Sequence, residues 1–436
     1  MDEINQVTIG IDLGSTSTSI AFDVNGGDES EVQILNNWPA AMKWSYDQVP
    51  RGPEIATIVY YDPHATRSFG WTKDRFEVVT ERDTLKPGLF AATNFISRLS
   101  PPGDYPDEWK SALLPGTKTP EDVTLDYLRH LRLNILQQIV DEGYSGEVAR
   151  LHFVITVPAF WDTVTRNRFR QLATTAGFVR AESAGQTLSF ISGLEAALSQ
   201  SVYLHAGVPS SPDNILVLDC GGHTVEAAVY TVESSSPLMV ERRTPVSVAS
   251  CGSAEVTRLF MDIAKAKIDK VRVPSTGRAF RVMRVRAKRA FGREVLFNDK
   301  FNAVGFHFDI PPEIHADGKA DTFWVADLGV ELSCPEADMV EGYISFSREK
   351  ICAPFNTIVE RTMGLVRDQI GAVEVLGEQV NDCLLIGGFN KCPYYSGKVE
   401  AGMAAPGLRL VKPSDDGANL AMGAAWAAVS GSGPSK

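Results

Sequence analysis

Two short segments about two hundred residues apart are written in one pattern, and this repetition limits the possible folds more than any other feature. In the first, Val7-Thr8-Ile9-Gly10-Ile11 is an apolar run that ends in Asp12, turns at Gly14, and returns as Ser19-Ile20-Ala21-Phe22. In the second, Ile215-Leu216-Val217-Leu218 runs into Asp219, turns through Cys220-Gly221-Gly222-His223-Thr224, and returns over 225–232. Each reads as a strand, a glycine-bearing tight turn and a second strand. Two hairpins with a carboxylate at the same place predict an internally duplicated chain with one hairpin per lobe. A length of 436 residues suits two α/β lobes with insertions better than one simple core.

Between the hairpins, Leu125, Leu128, Leu131, Ile135 and Ile139 recur at helical spacing and predict an amphipathic helix over 124–140. A buried strand is expected over 151–157, stopped by Pro158, and then a helix over 163–176 closed by Gly177. The second half predicts helices over 254–267, 282–291 and 354–370. Leu384-Leu385-Ile386 reads as a buried strand ending at Gly387-Gly388. A last helix over 417–429 gives way to a Ser/Gly/Pro tail expected to be disordered. The stretch 36–116 is rich in proline and aromatics without a clean period, and reads as an irregular subdomain inserted in the first lobe.

Composition narrows the function classes. Apolar residues at 44% and charged residues at 22% are ordinary for a soluble globular protein. A net charge of −12 argues against a polynucleotide partner, which would need a basic stripe to neutralise phosphates. Met1-Asp2-Glu3-Ile4-Asn5-Gln6 has no apolar signal region, and the uncharged stretch 417–435 has too few large apolar side chains to favour a bilayer. No membrane partner is expected. Six cysteines without C-x-x-C spacing read as reduced thiols and point to the cytoplasm, and seven histidines form no zinc pattern.

A polyphosphate needs several N–H donors at close range, and glycine turns supply them because no Cβ shields the backbone. Gly14-Ser15-Thr16-Ser17 is one such cradle and Gly221-Gly222-His223-Thr224 a second. Asp12 and Asp219 precede them at strand ends, where each could hold magnesium through water. Taken singly, either hairpin is an ordinary β-turn; two copies with matching Asp placement favour a phosphate clamp. Leu384-Leu385-Ile386-Gly387-Gly388-Phe389-Asn390-Lys391 would let a flat ligand or a phosphate approach the backbone. Arg284-Val285-Arg286-Ala287-Lys288-Arg289 is by composition a solvated helix face, although an Arg there could stack on adenine.

In this order the segments resemble the nucleotide-binding domain of the heat-shock-protein-70 chaperones, within the wider actin, hexokinase and sugar-kinase superfamily. Ile9-Gly10-Ile11-Asp12-Leu13-Gly14-Ser15-Thr16 is similar to that family's first phosphate motif. Ile155-Thr156-Val157-Pro158-Ala159-Phe160-Trp161, with Arg166, resembles its T-V-P-A strand end, and Arg286-Ala287-Lys288-Arg289 its adenosine-contacting R-A-K-R stretch. Met422-Gly423-Ala424-Ala425 resembles the closing helix. The Phe-Trp after T-V-P-A is similar to a divergent branch of the family, and T-V-P-A and R-A-K-R set it apart from sugar kinases.

The resemblance implies a duplicated, two-lobed actin-like ATPase fold of the ribonuclease H-like α/β class. Lobe I would span 1–206 with an insertion over 37–119, and lobe II 207–413 with an insertion over 252–334. A helix over 414–430 would return to lobe I, and 431–436 would form the tail. It implies ATP or ADP with Mg2+ as cofactors, Asp12 and Asp219 at the metal, and Asp219 or Glu226 orienting the attacking water. Lys288, Arg289 and Gly388 would hold adenosine, with Gly252, Gly292, Gly387 and Lys391 completing the nucleotide set.

The chain also departs from the family pattern. His223 stands where the family has a third glycine, and Glu226 where it has Asp. Gly193, in Ser192-Gly193-Leu194-Glu195-Ala196-Ala197, occupies the place of a magnesium-arranging Glu. Glu195 in an extended segment would lie roughly 7 Å further along. The nearest candidate for the catalytic lysine is Lys86, and Lys391 replaces an arginine. These changes bear on hydrolysis more than on binding, because phosphoryl transfer to water depends on placing the nucleophile. Slow Mg-dependent hydrolysis is expected. A non-hydrolysing nucleotide-dependent switch is the alternative, and a small-molecule kinase ranks third. The resemblance leaves room for a protein partner or exchange factor, and the chain is expected to lack a peptide-binding domain.

Overall fold

Each hairpin opens with a buried, largely apolar strand, and around these two strands the chain assembles two sheets. The computed structural model describes residues 5–24, 32–38, 53–61, 90–100, 118–144, 149–179, 186–203, 214–235, 238–271, 283, 322–327, 332–404, 407–413 and 419–429. The first half comprises β1 (Asn5–Leu13), β2 (Ser17–Val24), β3 (Gln33–Ile34), β4 (Ile55–Ala56), β5 (Ile58–Tyr61), β6 (Phe90–Thr93), α1 (Pro120–Asp141), β7 (Ala149–Val157), α2 (Thr163–Thr175), β8 (Gln186–Ser192) and α3 (Gly193–Tyr203). The second comprises β9 (Asn214–Cys220), β10 (Val225–Ser235), β11 (Leu238–Arg242), β12 (Ser247–Ala249), α4 (Ser253–Ile268), β13 (Thr322–Asp327), β14 (Met339–Val340), β15 (Tyr343–Ser347), α5 (Arg348–Glu374), β16 (Asp382–Ile386), α6 (Pro393–Ala404), β17 (Arg409–Val411) and α7 (Asn419–Val429).

The two large sheets have one topology. The first runs β3-β2-β1-β7-β8 with β4 on β2, and the second β11-β10-β9-β16-β17 with β12 on β10. In each, the leading strand pairs antiparallel with its hairpin partner and parallel with the strand on its other side. Hairpins supply the antiparallel half and helical crossovers the parallel half, as strand direction requires. The protein is thus α/β with two sheet-rich lobes. Small sheets, β5-β6 and β13-β15-β14, accompany them.

Helices cover the sheets in layers. On the outer face of the first sheet, Val7, Ile9, Ile11 and Leu13 pack with Tyr127, Leu131, Ile135 and Phe169 of α1 and α2. On the outer face of the second, Leu216, Leu218 and Cys220 pack with α4 and α5. Between the sheets lie α7, against β1, β2 and β7, and α3, against β9, β10 and β16. The small residues of α7 permit this layer: a Cβ at Gly10 would sit 2.0 Å from the Ala421 carbonyl oxygen, and one at Gly423 1.8 Å from that of Ala196.

Two helices differ from their sequence-based bounds for identifiable reasons. α1 starts at Pro120 because Thr119 and Asp122 form a reciprocal capping box ahead of the apolar stripe. α5 starts at Arg348, capped by the Ser347 side chain, and carries Pro354 inside it. A proline there costs a backbone hydrogen bond, but the buried stripe of Ile351, Phe355, Ile358 and Val366 runs through it and holds the helix together. The helix expected over 282–291 lies outside the described residues except for buried Met283. All six cysteines are free, and no described helix is long and apolar enough to cross a membrane.

Candidate functional site between the sheets

Strand alternation decides which side chains meet. Because successive residues point to opposite faces, β1 sends Ile9 and Ile11 outward and Gly10 toward α7, so Asp12 also faces inward. In β9 the outward residues are Leu216, Leu218 and Cys220, which leaves Ile215, Val217 and Asp219 facing in. Glu226 of β10 lies directly across from Asp219 in the register. Three carboxylates from two sheets therefore converge at the carboxyl ends of the leading strands. Sequence spacing anticipated Asp12 and Asp219 from the matching hairpins.

Each carboxylate is fixed by a neighbour. Asp12 Oδ1 accepts from Thr156 Oγ1 at 2.8 Å, and Thr156 Oγ1 accepts from the Leu13 amide at 3.1 Å. A Cβ at Gly387, whose φ is +93°, would fall 2.4 Å from Asp219 Oδ1, so only glycine fits beside this carboxylate. Glu226 Oε2 accepts from the Ala159 amide at 2.8 Å, which ties the end of β7 to the second sheet. Arg166 holds that turn, donating to the carbonyls of Trp161 at 3.0 Å and Ala159 at 3.2 Å.

Burial raises all three carboxyl groups. Asp12 is pushed up to about 7, chiefly by desolvation, with Thr156 opposing and the charges of Asp219 and Glu54 adding to the rise. Desolvation pushes Asp219 up to about 6. Glu226 rises to about 8 through desolvation and the charge of Asp219, against the Ala159 amide and Arg166. A site that crowds negative charge in this way favours a cation or a proton.

Above the carboxylates the two glycine loops come together. The first is gripped from behind by Thr57, whose amide donates to the Thr16 carbonyl at 3.0 Å and whose hydroxyl donates to that of Gly14 at 2.9 Å. Ser17 opens β2 and pairs with Ala56. The second loop is closed by Gly221 N–H donating to the Thr224 carbonyl at 2.9 Å. It is backed by the start of α4, where the Gly252 and Ala254 amides donate to the carbonyls of His223 at 3.0 Å and Gly222 at 2.8 Å. Gly252 thus lies against the second loop, where a Cβ would come within 2.5 Å of Gly222. His223 Nδ1 lies 2.6 Å from Ser15 Oγ, joining the loops.

Other predicted residues are distributed as follows. Gly388 and Lys391 share a short turn after β16, and Lys391 Nζ pairs with Glu54 Oε1 at 3.2 Å, an ion pair from the second half of the chain to the first. Lys86, Lys288, Arg289 and Gly292 lie outside the described residues. Glu195 is not in an extended segment: β8 ends at Ser192 and α3 begins at Gly193. Its carboxylate accepts from the Ser192 amide at 3.1 Å and hydroxyl at 2.8 Å in a capping arrangement at the start of the helix. A Cβ at Gly193, by contrast, would lie 3.3 Å from Asp219 Oδ2.

Sequence reasoning missed Glu54, Thr57 and Arg98. Arg98 is half-buried, and burial holds its guanidinium below its usual pKa. Its charge reaches His223, whose imidazole is pushed down to about 4 by desolvation first and Arg98 second. All three come from the stretch without a hydrophobic period, so no local signal marks them.

No family model matches the chain. The chain is similar to the heat shock 70 kDa protein 12B of Homo sapiens, with 21% identity over an alignment of 480 residues that covers 96% of this chain and 68% of that protein. The similarity runs along nearly the whole chain and stands at the level of a distant Hsp70-like homologue.

Proposed function

We propose that this is an Hsp70-like, actin-fold nucleotide-binding protein that takes ATP or ADP with magnesium between its lobes and hydrolyses ATP slowly. The observation that carries the reading is the meeting of Asp12, Asp219 and Glu226 beneath two glycine loops, at equivalent strand ends of two sheets with one topology. Lobe I would comprise 1–206 with its insertion over 37–119, lobe II 207–413 with its insertion over 252–334, and 414–430 the returning helix.

The donor set fits magnesium. It consists of hard carboxylate oxygens, and burial raises the pKa of both Asp12 and Asp219, so a divalent cation beside them would favour their charged forms. Among the described residues no three His, Cys, Asp or Glu stand close enough to ligate an ion directly. Asp12 and Asp219 would accordingly hold it through water, and the cation would supply charge neutralisation at the phosphates. The loop amides and the hydroxyls of Thr16, Ser17 and Thr224 would grip the phosphates, the Ser15 hydroxyl being engaged by His223, and the open side of Gly388, where a Cβ would meet nothing within 4 Å, suits a flat base.

Hydrolysis would be weak for a geometric reason. Position 193 faces Asp219 but carries no carboxylate, and Glu195 is engaged in its cap. Those two facts favour a non-hydrolysing switch as the second reading.

The deciding experiment is binding of both nucleotides and single-turnover hydrolysis of ATP with magnesium, beside Asp219→Asn. The variant is expected to bind about 10–100-fold more weakly, the usual scale for losing charged contacts, and to lose turnover. Binding without turnover would establish the switch. No binding of either nucleotide would overturn the proposal.

A further inference from the structure

The imidazole of His223 stands between the two loops that would share the phosphates. It is buried, with Nδ1 2.6 Å from Ser15 Oγ. One residue earlier, the second loop presses on the first, for a Cβ at Gly222 would lie 2.5 Å from Thr16 Cγ2 and 2.6 Å from Thr16 Oγ1. Neither loop has room to retreat. Behind the second, Gly252 is in contact with the backbone of Gly221 and Gly222. Behind the first, Thr57 bonds both Gly14 and Thr16, and its hydroxyl is itself 2.9 Å from Thr18 Oγ1, which accepts from Tyr127 at 2.7 Å.

A nucleoside diphosphate and a triphosphate differ in what they ask of these loops. Each further phosphate adds oxygens that need their own donors and room of their own. Here the Ser15 hydroxyl, a natural donor of the first loop, already bonds the ring, and the ring fills the gap between the loops. Where Nδ1 accepts the Ser15 proton, the hydroxyl turns only lone pairs outward and repels a phosphate oxygen. Where Nδ1 donates instead, the ring still occupies the gap.

We propose that His223 makes the site selective for nucleoside diphosphates, by filling the space between the loops that the terminal phosphate of a triphosphate would enter. The inference rests on the nucleotide-binding reading above and names the substrate class within it. It also adds a second cause of slow turnover to the missing carboxylate at position 193, since the triphosphate seats poorly.

The test is calorimetric titration of the full chain with Mg-ADP and with Mg-ATP, repeated for His223→Gly and His223→Asn. The native protein should bind ADP at least about tenfold more tightly than ATP. In His223→Gly the two affinities should come within about twofold, through a gain for ATP. His223→Asn, smaller but still polar, should fall between and serves if the glycine variant does not fold. Equal affinities in the native protein, or a native preference for ATP, would overturn the inference while leaving the nucleotide site intact. A native ADP preference that survives both substitutions would also overturn it. Binding of neither nucleotide would overturn the underlying reading.

Discussion

Arg98 lies in a short turn whose flanking residues, Ser97 and Leu99, are buried, so its backbone is anchored while its guanidinium is half-buried near the second glycine loop. A cation held at reduced solvation beside the glycine loops would suit a phosphate, whose oxygens match its planar fork. Arg98→Ala is expected to weaken Mg-nucleotide binding by about 10–100-fold. The same variant should raise the imidazole pKa of His223, followed by NMR titration, because the Arg98 charge is one of the two causes holding it down. An unchanged affinity would remove Arg98 from the site. An unchanged His223 titration would contradict the electrostatic link itself.

At the scale of elements, the inner helices depend on residues that lack side chains. Gly423 of α7 meets the carbonyl of Ala196 in α3, and Gly10 of β1 meets the carbonyl of Ala421 in α7. A methyl group at either point has no space, and overpacking of this kind costs about 1–3 kcal/mol. Gly423→Ala should lower the melting temperature measured by differential scanning calorimetry. No change would mean that α7 slides easily between the sheets. α3 begins beside Asp219 at Gly193, so a shift of the α7–α3 pair would also disturb the carboxylates. The glycine is therefore structural, while its consequences reach the site.

At the scale of the whole molecule, the two halves of the chain are joined by Ser15 with His223, Glu54 with Lys391, and the Ala159 amide with Glu226. The inward carboxylates oppose this joining whenever they ionise together. Their folded pKa values, about 7 for Asp12, about 6 for Asp219 and about 8 for Glu226, lie above the values of an unfolded chain. In the window between, the folded state binds more protons than the unfolded state. Stability is then greatest at the acid end and falls as pH rises from about 4 to about 8. With chelator present, the melting temperature should drop from pH 5.5 to pH 8.5. Magnesium should restore it at the upper end, where the carboxylates are charged. A flat or rising profile in chelator would show that the three groups do not share one desolvated site.

The amino-acid sequence by itself determined the two hairpins, their terminal aspartates and the glycine turns, because strand alternation and turn chemistry act over a few neighbouring residues. Tertiary structure decided what those local signals could not carry. Glu195 is a helix cap rather than a strand residue because the chain changes period at Gly193, and a few residues on either side of that change read equally well both ways. Pro354 lies inside α5 because a buried stripe formed by distant partners outweighs a local breaker. Glu54, Thr57 and Arg98 reach the carboxylates and glycine loops from a stretch without a hydrophobic period, and His223 finds Ser15 across 208 residues of chain. Such meetings depend on how whole sheets pack, and packing is a property of the assembled core rather than of any segment.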